Sequence, residues 1–152
     1  MIILAYKVVW IRVITHTGKL CKAMSEDIHF IPVGFDYSRL VQPISAEGGL
    51  PADQVVLLHS AAGTEDQRAE DLVDSIVDGL ERVFEQALRR EVSTVPLEAD
   101  IFNYSDMFEL AHELITQELE RENNVYINIS SMQRTVAFAF ATAAESIVIE
   151  SP

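Results

Sequence analysis

Four polar residues in one short stretch, Asn128, Ser130, Ser131 and Arg134, stand just ahead of an apolar run that begins at Val136. An amide, two small hydroxyls and a guanidinium in front of a helix start suit a phosphate or a ribose hydroxyl. The N–H groups of a helix's first turn lack intrahelical acceptors and attract anions. Two other places offer comparable chemistry. Gly34, Phe35 and Asp36 end one apolar run, and His59 ends another. A ring can stack on a base there, a carboxylate or an imidazole can move a proton, and a glycine lets a ligand approach closely. Each residue also has a plainer role. Asn128, Ser130 and Ser131 can cap the helix that follows, Arg134 can pair with an acid, Gly34 can serve a turn, Asp36 can be an N-cap, and His59 can be a hydrogen-bonded wall residue.

Catalytic signatures are missing. The chain has no G-x-S-x-G elbow, no H-E-x-x-H, no G-x-G-x-x-G and no Walker loop, and its four histidines, His16, His29, His59 and His112, lack metal-ligand spacing. Cys21 is the single cysteine, so neither an intramolecular disulfide nor a cysteine metal cluster can form. The expectation is a binding domain with no catalytic residue, no metal and no cofactor.

These residues need a frame to bring them together. Residues 28–33, 55–58, 92–97 and 125–129 read as strands, rich in β-branched and apolar side chains. The unbroken Val55-Val56-Leu57-Leu58 suits a strand buried on both faces, and Pro96 suits an edge or a bulge. Between the strands lie helical patterns. The first follows Asp36 as N-cap and is disturbed by Pro43; the second opens at a Thr64–Gln67 capping box and carries apolar residues from Leu72 to Leu88; the third is capped by Ser105 and stopped by Asn123-Asn124; the fourth, from Val136, is apolar all round. Such a fourth helix should be buried on more than one side. Strands alternating with helices predict an α/β, Rossmann-like parallel sheet of four or more strands with helices on both faces, truncated before its last strands. In such a sheet ligands bind outside the carboxyl ends of the strands, where Gly34, His59, Asn103 and the 128–134 segment would meet.

Charge divides the chain in two. Residues 1–25 hold all three lysines, Lys7, Lys19 and Lys22, together with Arg12 and no acid, whereas residues 26–152 hold all 24 acidic residues and no lysine. The expected organisation is a leader over residues 1–25, arising from a misplaced start upstream of Met24 or forming an edge strand with a basic turn, and a globular domain over residues 26–152. The long part has the acidic composition of a halophilic protein in a salt-rich, reducing cytoplasm. A formal charge of −13 argues against direct DNA binding and against an anionic membrane surface, since both need a cationic footprint. Any nucleotide must then be held by hydrogen bonds, helix ends and shape.

Residues 31–40 and 55–58, and above all Asn128-Ile129-Ser130-Ser131-Met132-Gln133-Arg134-Thr135 with the alanine- and phenylalanine-rich helix behind it, resemble the amino-terminal domain of a haloarchaeal family of CARF-like winged-helix transcriptional regulators. CARF denotes the CRISPR-associated Rossmann-fold sensor. The resemblance spans about residues 27–149. It implies a ligand-sensing homodimer, with the loop after the fourth strand and the next helix at the two-fold axis, binding a small nucleotide such as a cyclic oligoadenylate. Asn128, Ser130, Ser131 and Arg134 would contact that ligand, and Gly34, Phe35 and Asp36 would form the opposite wall. Where the CARF loop carries a glycine pair and a lysine, this chain has Ser131, Met132 and Arg134. The 152 residues hold no winged helix, so the output domain would lie elsewhere. Two other readings accompany the sensor: a weak metal-independent phosphodiesterase (a ring nuclease) that uses Ser131 and Arg134 on its own ligand, and an inactive truncated remnant.

Overall fold

The computed structural model describes residues 2–5, 8–13, 25–33, 37–45, 49–60, 67–97, 101–130 and 133–150. Four strands run parallel: β3 (Asp27–Pro32), β4 (Gln54–Ser60), β5 (Glu91–Leu97) and β6 (Asn124–Asn128). Two more, β1 (Ile2–Ala5) and β2 (Val8–Val13), form a hairpin, and the sheet order is β1-β2-β6-β3-β4-β5. Strand β2 runs antiparallel to β6, with Trp10 opposite Asn128 and Val13 opposite Val125. The hairpin thus covers an edge of β6 that the four-strand reading leaves open. The basic segment 14–24 lies outside the described residues.

Helices α1 (Tyr37–Ser45) and α2 (Gln67–Arg82) cover one face, and α3 (Tyr104–Glu120) and α4 (Arg134–Glu150) cover the other. Strand alternation sorts the core accordingly. Ile28, Phe30, Val56, Leu58, Val125 and Ile127 pack against Met107, Ala111, Ile115, Ala139 and Phe140, whereas Ile31, Val55, Leu57 and Tyr126 pack against Leu40, Ile44, Val77, Leu80 and Phe84. All four residues of the 55–58 run are buried, so β4 is covered on both faces as its unbroken apolar run predicts. Strand β5, with Pro96, is the last in the sheet order.

Helix ends show where local reading and structure part. The cap of α3 is Asn103, whose Oδ1 accepts from the N–H groups of Ser105 and Asp106, and not Ser105. The left-handed residue that ends α3 is Glu122, at φ 64°, and not Asn123. Asn123 is committed elsewhere: its Oδ1 accepts from the Glu26 N–H at 3.0 Å and its Nδ2 donates to Glu118 at 2.8 Å. The Asp36 cap and the Thr64 end of the capping box lie outside the described residues. Helix α4 buries Val136, Ala139, Phe140, Ala143, Ala144 and Ile147, but Phe138, Val148 and Ile149 are exposed, so one side of this apolar helix faces solvent within the monomer.

Candidate functional site

The registers bring all four parallel carboxyl ends to one rim. Pro32 lies opposite Leu58, Ser60 lies opposite Leu97, and Phe30 lies opposite Ile127, one residue short of the end of β6. Within that rim the strand order reverses between β3 and β6, and the helices that follow these two neighbours leave on opposite faces, α1 to one side and α4 to the other. This is the topological switch point at which an open α/β sheet leaves a crevice. The segment that contains Gly34, Phe35 and Asp36 leaves β3 there, and the segment from Asn128 to Arg134 leaves β6 there. Gly34, Phe35, Asp36 and Ser131 themselves lie outside the described residues.

Asn128 is buried, with relative exposure of 0%, and its polar atoms are used within the protein. Its Nδ2 donates to the carbonyl of Arg39 at 3.0 Å, while its Oδ1 accepts from the Ser130 N–H at 3.1 Å and the Ser130 hydroxyl at 2.6 Å. The side chain holds the turn out of β6 closed on itself. Ser130 is partly exposed beyond that turn, and Arg134 is exposed at the first position of α4. The Ala137 N–H donates to the Gln133 carbonyl, which fixes the start of the helix. The N–H groups of the first turn and the Arg134 guanidinium therefore lie at the same end of α4.

His59, near the end of β4, is partly exposed and lies opposite Pro96 of β5. It sits on the strand beyond β3, one position removed from the β3–β6 pair. Among the described residues the buried histidine is His29, which the sequence analysis did not single out for a role. Its ring stacks on Tyr126, its partner in the β3–β6 register, with centroids 4.5 Å apart and planes 4° from parallel. Its Nε2 faces the Pro51 carbonyl at 2.5 Å. A carbonyl only accepts, so Nε2 carries the proton. Burial lowers the His29 pKa from 6.5 to about 4, opposed by the bond to Pro51, lowered further by Arg90 and raised slightly by Asp53. His29 is neutral at pH 7 and belongs to the core.

A second concavity lies away from the switch point. A groove of about 310 Å³ between α3 and α4 is lined by Phe108, Glu109, His112, Glu113 and Ser146. Two carboxylates make it a poor place for a phosphate. Nearby, Tyr104 packs its ring 6.3 Å from that of Phe138, and its hydroxyl lies 2.7 Å from Thr142 Oγ1. Thr142 spends its own proton on the Phe138 carbonyl, so Tyr104 is the donor. Among the described residues no group of three or more His, Cys, Asp or Glu is placed to hold a metal. Among the same residues no helix is long and apolar enough to cross a membrane.

No curated protein and no solved structure matches the chain. Residues 27–151, which contain strands β3–β6 and helices α1–α4, match the family model described as "HFX_2341_N:-like, N-terminal". Coverage of most of the chain by one model makes this α/β domain a member of the HFX_2341_N-like, N-terminal family.

Proposed function

We propose that the chain is the ligand-sensing, dimerising domain of a CARF-like regulator and that it binds a phosphate-bearing nucleotide, with cyclic oligoadenylates as the first candidates. The observation that carries this reading is the divergence of α1 and α4 to opposite faces at the β3–β6 switch point, with Ser130 and the start of α4 at its mouth. In this reading the helix N-terminus, Arg134, Ser130 and Ser131 take the phosphates, Gly34, Phe35 and Asp36 form the other wall, and His59 flanks the base. Asn128 contributes by fixing Ser130. With a chain charge of −13, affinity has to come from oriented N–H groups and one guanidinium more than from net charge.

The reading is tested by thermal unfolding of the full chain with cyclic tetra- and hexa-adenylate in molar KCl. A ligand at 100 times its Kd stabilises by about 2.7 kcal/mol. The expected result is a rise in Tm with one of the two that is largely lost in Arg134→Ala. No rise with either, or the same rise in the variant, refutes it.

A further inference from the structure

Asn128 joins helix α1 to the turn that leads into α4, and the reason lies in Pro43. Helix α1 runs through Pro43, which has no N–H to give the carbonyl four residues back, that of Arg39. A carbonyl left without its helical donor beside a packed core is costly. Asn128, at the last position of β6 and 89 residues further along the chain, supplies a donor from Nδ2 at 3.0 Å. The other end of the same carboxamide holds the N–H and hydroxyl of Ser130. One rigid, fully buried planar group therefore bonds to α1 on one side and to the turn into α4 on the other.

We infer that Asn128 is a positioning residue that couples helix α1 to the Ser130 turn, so that a shift at either wall of the crevice is passed to the other. Few side chains can replace it. Aspartate keeps the acceptor and loses the donor, leucine keeps the volume and loses both, and serine is too short to span the two partners. Helix α1 follows directly on the segment that contains Gly34, Phe35 and Asp36. A ligand that draws Ser130 would rotate the carboxamide and alter its hold on Arg39. The regulatory sense of this coupling rests on the ligand reading above, whereas the coupling itself belongs to the free protein.

Amide hydrogen exchange on the full chain tests both. In free Asn128→Asp, the α1 amides from Leu40 to Ser45 should exchange about tenfold faster relative to β4 while the Ser130 amide keeps its protection. Pro43→Ala restores the missing N–H, so in that background the same Asn128→Asp change should accelerate α1 about tenfold less. Equal acceleration in both backgrounds, or none in either, overturns the coupling. Should the aspartate variant fail to fold, Asn128→Ser, whose side chain is too short to span both partners, takes its place: faster α1 exchange that is smaller in the Pro43→Ala background supports the linkage, and equal or no acceleration overturns it. Adding cyclic tetra-adenylate then separates the two claims. If it binds, wild type should change exchange in α1 and at Ser130 together and Pro43→Ala at Ser130 only; an α1 response that survives Pro43→Ala overturns the regulatory role. If it does not bind, the ligand reading is what fails, and the free-protein exchange still decides the coupling.

Discussion

Among the described residues His29 and Asn128 are the two buried polar ones, and they are buried for different reasons. Asn128 satisfies both ends of its amide. His29 is held by a stack on Tyr126 and a bond to Pro51, at the cost of a pKa lowered to about 4. Below pH 6.5 the unfolded chain takes up a proton that the native core refuses until about pH 4. Stability from this group is therefore fully present above pH 6.5 and falls as pH drops through that window. Between pH 7 and pH 5 the loss is about 2 kcal/mol. Urea unfolding at the two pH values should show this difference in wild type and lose it in His29→Phe; an equal slope in both proteins contradicts the assignment.

At the scale of elements, the four parallel strands and four helices were legible from periodicity, because each strand's burial is written in its own residues. The run 55–58 and the edge placement of Pro96 are of this kind. What could not be read locally was set by partners distant in sequence. Glu122 adopts the left-handed stop because Asn123 is held by Glu26 and Glu118. The Asn128 amide was recognisable as polar at a strand end, but its bond to Arg39 depends on a proline in another helix. An edge strand within residues 1–25 was one of the two sequence readings, but the hairpin and the antiparallel place of β2 beside β6 depend on pairing that the parallel pattern does not encode. Asn103 was visible in the sequence, yet Ser105 two residues later offered the same cap chemistry. Its replacement by alanine removes the acceptor for two α3 N–H groups and should cost about 1 kcal/mol in denaturant unfolding. Ser105→Ala should cost much less, and the reverse order would show the cap to be misassigned.

For the whole molecule, the candidate rim faces one end of a sheet whose opposite end is tied by polar residues. Asn124 Nδ2 donates to Asp27, and Asp53 accepts from the Asp27 N–H. The proposed homodimer would use the exposed side of α4, where Phe138 shows 66% of its surface. Phe138→Asp should then yield a monomer in sedimentation at molar KCl without loss of the fold, while a wild-type chain that is monomeric throughout excludes the pairing. The ligand claim is tested most directly by mapping backbone amide shifts during titration with cyclic tetra- and hexa-adenylate in molar KCl. Changes centred on Val33, Ser130 and Arg134 are predicted. Changes centred on the Phe108–His112 groove, or none at saturating concentrations of either nucleotide, would contradict it.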